Sequence, residues 1–496
     1  MTLDGVGATG ARLRRIADLP GPAGLPLLGN LLQLRGPQAH LRLEAWHARY
    51  GDFYRFSLGS REFLAVADAQ VIGAILRDRP DGFQRTARGV AIGAELGLDG
   101  LFLANGDRWR RQRPMVMAAF SPTLVRRYFD DLVRVAERLR GRWVAAAACG
   151  EPIDLLADLM RFTVDVTAGL AFGADVDSMT SGDDEIRQHL DQVFPALYRR
   201  LRAPLPYWRH VRLPRDRALQ HHLRALDRAV ARFIADARAR LASDPARAAS
   251  PPNLIEAMLV ARDQPGSGVD DRDVAANVLT MLLAGEDTTA NTIAWTVVLL
   301  HRHPSILATV RNEVRAVLRD ETLARTPEQL DRLDVLEACA REAMRLKPVA
   351  PTIALQAAED RVVGDVRVPA GAHVMCLLRP PATDPRRMTR ASAFDPTRWA
   401  GVADAQALPG KQSVMSFGAG PRICPGRYLA LHEIRMALGM LLAGFDIVDV
   451  QGPDGAEPAE RLAFVMGPEP VTMRIALRAP GARRPAATLA TGAASG

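Results

Sequence analysis

The stretch Asp270 to His301 carries apolar residues at three- and four-residue spacing along its whole length. This predicts one helix of about 45 Å at ~1.5 Å per residue. A helix of that length either crosses a bilayer or runs through the middle of a large soluble core. Its centre decides between them, because Ala284-Gly285-Glu286-Asp287-Thr288-Thr289 places two carboxylates side by side. At mid-bilayer depth these would cost on the order of several kcal/mol. A buried helix in a soluble fold is therefore predicted. Gly285 costs about 1 kcal/mol relative to alanine inside a helix, and the polar residues around it add to that cost. Residues kept there at such cost are expected to serve function.

The same periodicity predicts helices over Leu41 to Tyr50, Pro122 to Ala148, Asp154 to Phe172, Arg217 to Ala242, Ser305 to Arg319 and Val335 to Leu346. Strand-like pieces are short: Phe53 to Leu58, Phe63 to Val66, Val362 to Val368 and Val374 to Leu378. The fold class predicted is mainly α with a small lateral β region. Proline-rich Leu19 to Pro26 cannot be helical and marks where order begins. The Ala/Gly/Pro-rich end has the composition of a frayed tail. One catalytic domain over 19–478 is expected between flexible segments 1–18 and 479–496.

Composition removes several alternatives. Hydrophobic residues at 48% and charged residues at 24% suit a packed soluble protein. The net charge, 64 − 56 = +8, comes from basic residues spread along the chain, so nucleic acid is not an expected partner. Lys347 and Lys411 are the lysines; the other basic residues are arginines, which suggests a GC-rich bacterial genome. Four scattered cysteines make no disulfide framework and fit a reducing cytoplasm. Met1 to Arg15 has no apolar run, so neither a signal peptide nor a membrane anchor is expected.

The loop Phe417-Gly418-Ala419-Gly420-Pro421-Arg422-Ile423-Cys424-Pro425-Gly426 holds one cysteine among glycines and leads into the apolar run Tyr428 to Leu442. Glycines let backbone N–H groups approach a sulfur, and a following helix N-terminus favours its negative form. A lone cysteine is usually an inert small hydrophobe. This loop reads instead as a thiolate ligand.

Residues 417 to 426 match Phe-x-x-Gly-x-Arg-x-Cys-x-Gly, and the chain resembles the cytochrome P-450 family there. In the family's order, Ala284 to Thr289 resembles its oxygen-activating helix. Glu342-Ala343-Met344-Arg345 resembles its Glu-x-x-Arg helix, Pro396-Thr397-Arg398-Trp399 its Pro-x-Arg-Trp segment, and Trp109 to Arg113 its Trp-x-x-x-Arg helix. The resemblance covers roughly residues 19 to 478. It implies the cytochrome P-450 fold around a buried haem b, with Cys424 on the iron. Trp109, Arg113 and Arg422 would donate to the haem propionates, and Phe417, Gly418 and Gly426 would shape the sulfur side. Ala284 and Gly285 would let the helix bulge over the iron. Thr288 would hydrogen-bond dioxygen while Asp287 relays protons. Glu342, Arg345 and Arg398 would form a structural ion network.

Two departures stand out. Gln356 lies near where many members carry a propionate-binding arginine, and Ala382-Thr383-Asp384 replaces a frequent His-Arg-Asp. The reaction implied is insertion of one oxygen atom from O2 into a hydrophobic small molecule, a fatty acid or terpenoid. The alternatives are a peroxide-dependent or isomerising haem-thiolate enzyme and a non-enzymatic haem-binding protein. Val90, Ile92, Leu96, Leu98, Phe102, Ile353, Ala354 and Leu355 are expected to line the substrate site, within segments that include Phe194 to Val211. The haem unit uses nearly the whole chain, so a separate ferredoxin or flavodoxin with its reductase is the expected electron source. It would dock on a basic face including Arg110, Arg111 and Arg427. The protein is expected to act as a monomer.

Overall fold

The computed structural model describes residues 13–173, 179, 185–190, 192–203, 205–399 and 413–478. Helices α1 (Ala69–Arg77), α2 (Ala87–Glu95), α3 (Gly106–Ala119), α4 (Leu155–Phe172), α5 (Asp271–Arg302), α6 (Asp334–Leu346) and α7 (Arg427–Gly444) frame the site. The long helix α5 starts where the Asp270 carboxylate accepts the Asp273 N–H at 2.9 Å and the Asp273 carboxylate accepts the Asp270 N–H in return. This satisfies two amide donors that helix geometry leaves without partners. It stops at His303, ahead of Pro304, because the residue before proline is driven out of the helical region. Most of α5 is buried: α4 lies along it, and α6 and α7 pack against it.

A five-stranded sheet stands to one side. It is built from β1 (Phe53–Leu58), β2 (Arg61–Val66), β3 (Phe83–Gln84), β4 (Thr352–Ala357) and β5 (His373–Leu377), in the order β1-β2-β5-β4-β3. The β2–β5 pair is parallel and the other pairs are antiparallel. Its inner face forms an apolar cluster with α1. The architecture is mainly α with small lateral sheets.

Several local expectations change. The helix read over Pro122 to Ala148 is two, Pro122–Arg127 and Phe129–Cys149, broken at Tyr128, whose buried hydroxyl donates to the Val166 carbonyl of α4. The strand read over Val362 to Val368 is a hairpin, Arg361–Val363 against Val366–Val368, turning at Gly364-Asp365. Order begins before Leu19: Arg14–Arg15 pairs with Val366–Arg367, and the Arg14 guanidinium bonds Asp365 at 2.7 Å. The rest of the flexible ends expected at 1–18 and 479–496 lies outside the described residues. Periodicity also missed the antiparallel pair Phe445–Gln451 and Thr472–Leu477.

Candidate functional site

Cys424 sits at the end of a loop closed on itself. Its N–H donates to the Phe417 carbonyl at 2.9 Å, Gly418 N–H to the Met415 carbonyl at 2.8 Å, and Ile423 N–H to the Gly420 carbonyl at 3.1 Å. Gly418 and Gly420 have φ of 75° and 69°, which side chains with a Cβ rarely adopt. At Gly420 a Cβ would also lie 2.7 Å from the Arg77 Cα, so this loop rests directly on the end of α1. Burial pushes the Cys424 thiol up, while the Gly426 N–H and the Arg113 and Arg427 guanidiniums pull it back. The expected crowd of amides on sulfur reduces to one, from Gly426. A sulfur in this balance needs a Lewis acid to become fully anionic.

Beside this loop lie four arginines, and among the described residues none of them pairs with a carboxylate. Arg422 donates to the carbonyls of Leu101 at 3.0 Å and Ala104 at 2.6 Å, and lies 5.3 Å from the ring centroid of buried Trp109. Arg113, one turn beyond Trp109 on α3, donates to the Ile423 carbonyl at 2.9 Å. Arg85 donates to the Phe102 carbonyl at 2.9 Å, and Arg79 makes long bonds to the Leu76 and Ala419 carbonyls. Burial, reinforced by the neighbouring guanidiniums, pulls Arg422 down to about 8 and Arg85 to about 9; burial pulls Arg79 to about 10 and lowers Arg113. A guanidinium does not give up its proton in a protein, so these depressions measure a demand for anions. A flat group carrying two carboxylates, with a metal for Cys424, fits this donor set. The sequence pattern names Trp109, Arg113 and Arg422 in this group; Arg79 and Arg85 lie in no recognised motif and were not named from it.

On α5, Ala284 is exposed although residues 281–283 are buried, and Asp287 and Thr288 are half-buried. The Thr288 hydroxyl donates to the Ala284 carbonyl at 2.8 Å. The helix is continuous through this stretch, so the bulge expected at Ala284 and Gly285 is not present. Gly285 has another reason to be glycine: a Cβ there would lie 2.6 Å from Thr167 Oγ1 of α4. It sets the closeness of the two helices. The next residue but three, Thr289, donates to the buried Glu433 carboxylate of α7, whose first turn follows Cys424. That hydrogen bond ties α5 to the cysteine-bearing segment.

The predicted ion network is assembled without solvent. The Glu342 carboxylate accepts from Arg345 Nη2 at 2.7 Å and Nε at 2.8 Å, and from Arg398 Nε at 3.2 Å. The Asp395 N–H and the Trp399 indole N–H complete it at 3.0 and 2.9 Å, the latter two unforeseen. Arg345 also holds the carbonyls of Ala382, Ala391 and Ala393, so one buried pair pins the segment approaching the cysteine loop.

The sequence profile of the Cytochrome P450 family matches residues 19–475. This chain belongs to the cytochrome P450 family. Among its relatives, the mouse mitochondrial 25-hydroxyvitamin D-1 alpha hydroxylase is 27% identical, covering 91% of each chain. Protein LUTEIN DEFICIENT 5 of Arabidopsis thaliana is 24% identical over 87% of this chain and 73% of its own length. A self-sufficient monooxygenase of Aspergillus niger is 28% identical over 87% of this chain but only 40% of that enzyme. The crystal structure of the cytochrome P450DA heme domain superposes with a TM-score of 0.81, at 23% identity, covering 95% of this chain and 99% of that one, which shows the fold. These relatives are plant, animal and fungal, so the bacterial origin suggested by arginine usage rests on composition alone. The family's members are haem-thiolate oxidoreductases, and among the described residues no helix is long and apolar enough to cross a membrane.

Within the P450 fold, the expected substrate lining divides in two. Ile92, Leu96, Leu98 and Leu355 are buried in the core, where ordinary packing accounts for them. Val90, Phe102, Ile353 and Ala354 are accessible, and Phe102 meets Phe464 edge-on at 6.0 Å. The Phe194 side chain and residue 204 lie outside the described residues. Of the basic face, Arg110 is ion-paired with Asp81 and Asp107, so its charge is compensated, whereas Arg427 lies over the Tyr428 ring at 4.5 Å. A polar cleft of about 430 Å³ between Asp99, Arg108, Arg111 and Asp273 lies at the start of α5. Arg108 pairs there with Asp99 and Asp273, which sets it apart from the cysteine site.

Proposed function

We propose that this P450 is a monooxygenase that inserts one atom of O2 into an apolar small molecule, with Cys424 as the haem-iron ligand and electrons from a separate carrier. The observation that carries the reading is the sulfur of Cys424 beside half-buried arginines that, among the described residues, have no carboxylate partner. Trp109, Arg113 and Arg422 would hold the haem carboxylates, and Phe417, Gly418 and Gly426 would keep the sulfur side dry and oriented. Haem bound there would supply O2 activation, with electron donation from the thiolate favouring O–O cleavage.

The chain's own part is proton handling and exclusion of water. With its proton on the Ala284 carbonyl, Thr288 Oγ1 offers lone pairs to the open side of α5; rotated, the hydroxyl donates instead. Asp287, half-buried next to it, is placed to exchange protons with solvent. Ala284, small and exposed, leaves room for substrate, and Val90, Phe102, Ile353 and Ala354 would give that room apolar walls. Two relatives are named for steroid and 25-hydroxyvitamin D hydroxylation, which favours a terpenoid-derived substrate over a fatty acid. Four free cysteines suit a reducing cytoplasm.

The test is product formation from a steroid or terpenoid panel with NAD(P)H, a ferredoxin and its reductase, in labelled dioxygen. One labelled oxygen per product molecule is expected. Turnover with hydrogen peroxide alone, and none with the carrier, would contradict the reading.

A further inference from the structure

We infer that Arg85 is a haem-carboxylate anchor that stands in for the cation missing at Gln356. This rests on the haem reading above and extends it to a residue outside the recognised motifs.

Gln356 carries no positive charge, and its amide is turned to the chain at both ends, which leaves one N–H at most for an anion. Oε1 accepts the Ala87 N–H at 3.0 Å and Nε2 donates to the Gly371 carbonyl at 2.9 Å. Its strand β4 pairs with β3 through Gln84↔Gln356 and Phe83↔Ala357. Arg85 is therefore the residue next to the strand partner of Gln356, so a guanidinium emerges one strand over.

The neighbourhood of Arg85 aligns it with Arg422. Asn105 Oδ1 accepts the Arg85 N–H at 2.9 Å, and Asn105 Nδ2 donates to the Arg85 carbonyl at 3.0 Å. The same Oδ1 lies 3.5 Å from Arg422 Nη1. Successive carbonyls of one turn hold the two side chains: Phe102 takes Arg85 Nε, while Leu101 and Ala104 take Arg422 Nη2. The Phe102 ring lies 4.3 Å from the Arg85 guanidinium carbon and fixes its plane. With Nε occupied, Arg85 Nη1 and Nη2 have no hydrogen-bond partner among the described residues, and its charge, after burial, lowers the proton affinity of Arg422. Two cations held side by side at this cost, with free donors on one of them, suit a bidentate carboxylate contact.

The experiment measures haem loss from the full-length protein to excess apomyoglobin. Wild type and Arg85→Gln are each loaded with haem or with haem dimethyl ester, whose carboxylates are masked. Arg85→Gln should release haem on the order of tenfold faster than wild type, the loss of one charged hydrogen bond. With the diester the two proteins should release at the same rate. If Arg85→Gln retains haem as long as wild type, or if its excess rate persists with the diester, the inference is overturned. The second result would mean that Arg85 only braces the Phe102 turn. The reduced carbon monoxide spectrum of each sample separates this from failure of the haem-thiolate reading. A thiolate band with unchanged release rates sinks the anchor alone, whereas its absence in wild type sinks the parent reading.

Discussion

Replacing Gly285 by alanine should be destabilising in the native protein and stabilising once Thr167 is trimmed. An added Cβ would lie 2.6 Å from Thr167 Oγ1, 3.1 Å from its Cγ2 and 3.4 Å from its Cβ. The last distance is ordinary contact, while the first two are overlaps. Thr167 is buried in α4 and cannot swing into solvent. Overpacking of this kind costs about 1–3 kcal/mol. Alanine in place of glycine inside a helix returns about 1 kcal/mol. Gly285→Ala alone should therefore lose up to about 2 kcal/mol, the difference between those two terms. In a Thr167→Ala background both overlapping atoms are gone, so Gly285→Ala should gain about 1 kcal/mol. The four proteins of this cycle, compared by thermal unfolding at matched haem content, read out the coupling. Equal destabilisation by Gly285→Ala in both backgrounds would refute the claim that this glycine serves helix packing.

Glu433 and Thr288 give two further expectations. Burial pushes the Glu433 carboxyl well above its ordinary 4.5, with Thr289 pulling partly back. The folded state keeps a proton that the unfolded chain releases, so wild-type stability falls as pH rises from about 4.5 towards the folded value. Glu433→Gln has no such proton, and its melting temperature should gain on wild type as pH rises above about 4.5; parallel curves would show that the group is not held neutral. Thr288→Ala should consume NAD(P)H at a comparable rate but pass most of its electrons to O2 to give hydrogen peroxide, and unchanged coupling would remove Thr288 from proton handling.

What the sequence made legible is what short patterns encode. The glycine-framed Cys424 loop, the Glu342–Arg345 pair and the long helix are each set by neighbours within a few residues, and all form. Features made by contacts across the chain were not legible. Gly285 was read as a bulge over the iron because its partner, Thr167, lies on a different helix. Arg85 resembled any surface arginine until strand pairing set it beside Gln356 and Asn105 set it beside Arg422. Tyr128 breaks a well-patterned helix because its hydroxyl is anchored on α4. The expected substrate lining splits for a similar reason: its apolar residues divide between core and accessible positions, and a list of aliphatic residues does not distinguish them.

The central claim is that Cys424 ligates a haem iron through its sulfur. It is tested most directly by the carbon monoxide spectrum of the reduced protein and of Cys424→Ala. Wild type should show the red-shifted band of a thiolate-bound haem, and Cys424→Ala should lose it. A band at the position of a histidine-ligated haem in wild type, or an unchanged band in Cys424→Ala, would contradict the account.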